Sequence, residues 1–273
     1  MKRLFFGLAM VALSTSVMAQ DAAGKKYQAG LVFGPGMNFQ EMGTTRMGSL
    51  GAGSDLTLGA NVNIGLTETI AFTTGAEFDF ERLRFNAGGS PVYYWYNDKQ
   101  ILQQGEVANA PNPQLFQLSE RRQRVIYLTI PTMLMFRTNF IGYFRYFGKF
   151  GLRNSLLLSN KYNDTGSNYE DIESPLGTPT QSIEQENIEA SGEMLIFKSA
   201  VGGAGGAEWN FVGSTCLVAE IGFYYGFTPL FLDRNIEKTT LFTSAVNNGE
   251  GADVNFSNQA RQSQLMLKLS ILF

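Results

Sequence analysis

Hydrophobic and polar residues alternate singly along most of this chain, and the alternation breaks off and resumes seven times, leaving eight segments. In the last segment Leu265, Leu267, Leu269, Ile271 and Phe273 share one parity, while Gln264, Met266, Lys268 and Ser270 share the other. Successive side chains of a strand point to opposite faces, so this segment predicts a strand with one apolar and one mostly polar face. Residues 27–38 place Ala29, Leu31, Phe33 and Met37 outward, and residues 55–66 alternate Leu56, Leu58, Ala60, Val62, Ile64 and Leu66 with small polar partners. Residues 69–83 set Ile70, Phe72, Ala76, Phe78 and Phe80 against Glu77, Asp79 and Glu81. Residues 125–137 turn Ile126, Leu128, Ile130, Leu134 and Phe136 outward, and 143–157 oppose Phe144, Tyr146, Phe150, Leu152 and Leu156 to Arg145, Lys149 and Arg153. Residues 192–209 carry Lys198 and Glu208 inward around a glycine-rich middle; 217–229 put Ile221, Phe223 and Tyr225 outside, with Glu220 and Tyr224 inside.

The connections between these eight strands alternate in length. Residues 42–53, 84–122, 159–191 and 233–260 are long; 67–68, 138–142 and 211–215 are short. Outer-membrane barrels have short periplasmic turns, long extracellular loops and strands of at least ~9–11 residues. A soluble sandwich has no reason to alternate its loop lengths. The expected fold is therefore all-β: an eight-stranded antiparallel transmembrane β-barrel with long extracellular loops and short periplasmic turns. Phe273, at the end of the closing strand, reads as the terminal aromatic recognised by the barrel-assembly machinery.

Residues 1–19 read as a signal peptide: Lys2 and Arg3, an apolar run over 4–13, and a cleavage site at Val17-Met18-Ala19. Residues 20–273 then form the barrel domain, with export to the outer membrane as the expected localisation. Thirty glycines, 13% aromatics and only 16% charged residues suit that class, and a net charge of −3 points to no nucleic-acid partner. The lone Cys216 allows neither a disulfide nor a thiolate metal cluster.

With the strands laid out, Tyr127-Leu128-Thr129-Ile130-Pro131, the run Gly202-Gly203-Ala204-Gly205-Gly206-Ala207-Glu208-Trp209 and the closing strand ending at Phe273 resemble segments of a Bacteroidota family of outer-membrane barrels, often labelled PorT-like after its type IX secretion member. The resemblance implies an outer-membrane barrel, with secretion or gliding proteins as partners.

The chain has no histidine, the usual general base of enzymatic barrels, and no nucleophile–base spacing; the expectation is a non-enzyme without cofactor or metal. Inward charges are Glu77, Asp79, Glu81, Arg137, Arg145, Lys149, Arg153, Lys198, Glu208, Glu220 and Lys268. A narrow barrel is filled by side chains, so these predict a salt-bridged plug; the alternative is a solute path along Arg145, Lys149 and Arg153. The acidic segment 159–191 reads as a solvated loop, for it lacks a calcium-loop pattern. Tyr93, Tyr94, Trp95 and Tyr96 form either a partner-binding patch or part of an aromatic rim. Arg121, Arg122 and Arg124 either meet outer-membrane lipid phosphates or are ordinary rim charges. The functional expectation is a structural or accessory envelope protein acting through its extracellular loops, the rival a small passive channel or ligand-binding barrel.

Overall fold

The computed structural model describes residues 26–88, 91–169, 182–190, 192–232, 240–243 and 255–273; residues 1–19, where a signal peptide is expected, lie outside them. They contain fourteen strands: β1 (Tyr27–Met42), β2 (Met47–Ser49), β3 (Gly53–Gly65), β4 (Ile70–Ala87), β5 (Val92–Asn97), β6 (Gln100–Ile101), β7 (Gln114–Arg137), β8 (Phe144–Tyr169), β9 (Ile183–Ala190), β10 (Phe197–Val212), β11 (Thr215–Gly226), β12 (Phe242–Thr243), β13 (Asn255–Phe256) and β14 (Ala260–Leu272). The dyad pattern predicts only eight. The long strands β1, β3, β4, β7, β8, β10, β11 and β14 pair antiparallel in that order, and β14 returns to β1, so the cycle closes without an edge. The other six are two to eight residues long and lie in the long connections.

Those connections are therefore structured where they are described, a correction to the expected polar loops. β7 begins at Gln114 rather than near residue 125, and β8 runs on to Tyr169 rather than ending near 157. The cause is local. Their register shifts between Ile126 and Tyr127 and again between Leu118 and Glu120. A β-bulge leaves one residue unpaired and reverses which parity faces inward. On β8 the buried positions are Arg153 and Ser155 before the shift, and Tyr162 and Asp164 after it. A period-two pattern loses phase there, although the strand continues.

At one end of the barrel the turns are tight: Leu66 donates to the Ile70 carbonyl at 2.9 Å, and Gly213 takes the left-handed φ of 56° between β10 and β11. The glycines of β10 serve a different need. A Cβ on Gly206 would lie 2.7 Å from the Phe147 ring, and one on Gly202 2.7 Å from that of Tyr224. Small residues on β10 thus let large rings from β8 and β11 cross the lumen.

Outside, Leu31, Phe33, Phe78, Phe80, Phe136, Phe150, Ile221, Phe223, Leu267 and Leu269 are all exposed. So wide an apolar surface is foreign to a monomeric soluble protein; here it is a continuous belt. It stops at one level towards the long-connection end, where exposed Glu41, Arg82, Arg124, Lys161 and Arg261 follow. Beyond that level Leu83, Phe85, Tyr94, Phe116, Leu118, Tyr162, Phe231, Phe242 and Phe256 form the largest buried apolar cluster. Within the belt the interior thus holds the buried charges beside two small apolar clusters, around Met135 and Phe147 and around Met133 and Tyr224, and above the belt it is mainly apolar. Phe150 is 63% exposed near the middle of the belt. Phe150→Arg should cost ~2–4 kcal/mol of folding into phosphatidylcholine vesicles, the scale for a lipid-facing cation at mid-depth; urea titration of the refolded barrel measures it.

Candidate functional site

The lumen is organised by three carboxylates spaced two apart on β4, so that Glu77, Asp79 and Glu81 all point inward; none is more than 1% exposed. Ions removed from water need partners, because the desolvation penalty amounts to several kcal/mol each. The cations come from strands that are not neighbours of β4. Arg153 of β8 meets Glu77 at 3.1 Å and Asp79 at 2.8 Å. Lys268 of β14 binds both Glu77 oxygens, at 2.7 and 2.8 Å. Lys198 of β10 reaches Glu81 at 2.7 Å and donates to the Gln262 amide oxygen at 2.8 Å. Gln264 ties Glu81 to Asp55 of β3. The hydroxyls of Thr57 and Thr129 donate to Asp79, each at 2.5 Å.

A second set lies nearer the short-turn end. Lys149 pairs with Glu220 of β11 at 2.5 Å, and Arg145 with Glu208 of β10. Arg137 has no carboxylate partner among the described residues; it donates to the Gln28 side chain at 3.2 Å and the Glu68 carbonyl at 3.3 Å. The structure thus places all eleven candidate lumen charges inside the barrel, ten of them in ion pairs and Arg137 on uncharged acceptors. The cavity between Asn61, Lys149, Glu208 and Ser270 is scarcely larger than a water molecule.

The third ionic cluster escaped sequence reasoning. Arg121 is wholly buried, not on the rim, which corrects the expectation that it faces lipid. It binds Asp164 at 2.7 Å and Glu193 at 3.4 Å, with its guanidinium 4.2 Å from the Tyr162 ring centroid and 5.0 Å from that of Phe242. The Tyr162 hydroxyl donates to Glu193. The only signal in the sequence was alternation in 121–125, with Arg121, Gln123 and Val125 buried between exposed Arg122 and Arg124, masked by the charge of that stretch. Asp164 likewise leaves the expected solvated loop and joins the core.

The aromatic run is corrected in the same way. On β5, Tyr94 is fully buried and Tyr96 is 4% exposed, whereas Tyr93 and Trp95 are half-buried. Tyr94 packs on Phe116 with ring centroids 5.2 Å apart, and the Tyr96 hydroxyl donates to Gln114 at 2.6 Å. Strand alternation sends every second ring inward, so the four do not form one exposed patch. Phe273 is 52% exposed, and its backbone N–H donates to the Ala29 carbonyl at 2.8 Å.

A match to a protein family agrees with this architecture. A family model described as "Outer membrane protein beta-barrel domain" matches residues 18–232. No curated protein matches the sequence. Among solved structures, Neisserial surface protein A is 10% identical with a TM-score of 0.33, over 91% of this chain and 98% of its own. Ail, the attachment invasion locus protein of Yersinia pestis, is also 10% identical at 0.33, over 91% and 100%. The outer membrane protease OmpT of Escherichia coli is 9% identical at 0.31, over 95% and 99%. Likenesses this distant bear on neither activity nor ligand.

Two measurements probe these clusters. Glu77→Leu strands the buried Lys268 and leaves Arg153 with Asp79 alone, and should cost ~3–5 kcal/mol, whereas adding Lys268→Met should recover part of the loss, because breaking a buried pair is worse than replacing it; urea midpoints of the three proteins decide. In the upper cluster, burial pushes the Glu193 carboxyl above its usual 4.5, with Arg121 and the Tyr162 hydroxyl opposing. Because that value is raised on folding, its contribution to stability is full below 4.5 and is lost as pH rises through the raised value. Glu193→Gln should flatten this dependence, read as amide-exchange protection around Leu195 between acid and neutral pH.

Proposed function

This chain belongs to the outer membrane protein beta-barrel domain family, and we propose that it acts there as a non-enzymatic structural or accessory protein, presenting a rigid extracellular platform to another envelope component. One observation carries the reading. β7 and β8 are 24 and 26 residues long, against the ~9–11 needed to cross the hydrocarbon, and the surplus is built around an apolar core of its own. A pore mouth needs no such core. A platform does, because a partner gains affinity when the surface it meets is already ordered.

The short turns and both ends of the described chain face the periplasm in this reading, and β14 presents Phe273 to the assembly machinery. The partner class we favour is the type IX secretion or gliding apparatus, on the resemblance of the Tyr127-Leu128-Thr129-Ile130-Pro131 segment and the glycine-rich strand. Residues 1–19 are proposed as the export signal. Catalysis is disfavoured by the lack of histidine in the sequence. The passive-channel reading stays weaker, since its cations Arg145, Lys149 and Arg153 are all bound to carboxylates.

Cross-linking in intact cells followed by purification of a tagged copy tests the platform. It should recover an envelope protein, and replacing the exposed tip 103–112 by a short Gly/Ser linker should lose that protein while the barrel still folds. Recovery of a monomer with lipid alone would sink the reading. In planar bilayers the refolded protein should be silent; a steady conductance that changes with Lys149→Glu would favour the channel.

A further inference from the structure

On the outer face of β4, β7 and β8, the first residues past the apolar belt are basic. Register places Arg82 opposite Arg124, and Arg124 opposite Lys161; all three are exposed. The next row sets Arg84 opposite Arg122. Like charges directly opposite on adjacent strands repel. The protein relieves this only in the second row, where Glu120 accepts from Arg84 at 3.4 Å and from Arg122 at 3.0 Å. In the first row Arg124 donates to two uncharged amide oxygens, Asn163 at 3.2 Å and Asn187 at 2.7 Å. Lys161 has Glu189 no nearer than 3.8 Å, with both side chains about half exposed. No carboxylate pairs with Arg82 or Arg124 among the described residues. On the far side of the barrel the same level holds Glu41 opposite Arg261, a pair already neutral. The unbalanced charge is thus confined to one face.

We propose that Arg82, Arg124 and Lys161 form a docking site for the phosphate of an outer-leaflet lipid of the lipid A type. The guanidinium fork matches phosphate oxygens in a bidentate way, and an ammonium adds a point charge beside it. A lipid is favoured over soluble phosphate because the exposed Phe80 and Leu158 continue the same face immediately below. Acyl chains lying there hold the headgroup at the height of the basic row. The site extends the platform reading, on which it rests for the leaflet it meets, by tying the barrel's rotation and depth to a phosphorylated lipid.

The test uses the refolded protein in phosphatidylcholine nanodiscs doped with lipid A or with its dephosphorylated form, the retained lipid being counted by native mass spectrometry. Both leaflets of a nanodisc are alike, so the readout does not depend on how the barrel faces in the cell. Arg82→Gln/Arg124→Gln should lower lipid A retention on the order of tenfold, as expected for lost charged hydrogen bonds, while Arg261→Gln should leave it unchanged. Insertion is read separately from the heat-dependent gel mobility of each variant, and Lys161→Gln serves should the double variant fail to fold. Equal retention of the dephosphorylated lipid, or full retention by the folded double variant, would overturn the site. Complete displacement by inorganic phosphate at the lipid's own concentration would overturn the lipid assignment.

Discussion

Three carboxylates on one strand hold this barrel closed from within. Glu77, Asp79 and Glu81 stand on a single inward-facing row of β4, and their cations arrive from β8, β10 and β14. Hydrogen-bond ladders join each strand only to its two neighbours; these ion pairs join strands across the lumen. Unpaired, the same groups would oppose folding by several kcal/mol apiece. The charges are acceptable only as a set, and the set exists only when the ring of strands is complete. That coupling makes closure and lumen packing one event.

Above the lumen the logic inverts. Outside the apolar belt the barrel exterior meets water, so its interior can be apolar, and rings from β5, β7, β8, β12 and β13 fill it. Arg121 is the exception within that core. Burial works against its charge, but Asp164 and Glu193 more than offset this, so the guanidinium stays ionised. Its ring contacts place one cation between strands β7 and β8 and the short strands of the long connections. Segments that a loop-length argument treats as mobile therefore have a fixed reference point.

The two halves suggest a division of labour. The lower half secures the barrel in lipid, with its lumen charges paired among the described residues except Arg137; the upper half is an ordered surface of a kind a simple anchor does not require. Function in this reading resides on the outside: on the exposed tips of the long connections and on the basic face where the apolar belt ends.

Much of this was legible from residue order alone. The side-chain period of a strand is two, so the parity of Leu31, Phe78, Phe150 and Leu267 identified the lipid face, and the opposite parity identified the lumen charges. Parity cannot reveal which lumen carboxylate meets which cation, because partners such as Lys268 and Glu77 lie on strands distant in sequence and not adjacent in the sheet. Nor does it survive a bulge. Past Leu157 the phase of β8 reverses, which turned Tyr162 and Asp164 from apparent loop residues into core. Arg121 keeps the inward parity of β7 and was hidden by the charge around it, and the Tyr93–Tyr96 run alternates within a short strand that residue order did not reveal. By itself, the sequence determined the strands that cross the membrane and the faces they show, since both follow from local alternation against two solvents. Only the tertiary structure decided how the long connections fold, because their order comes from contacts between distant segments and from one buried cation.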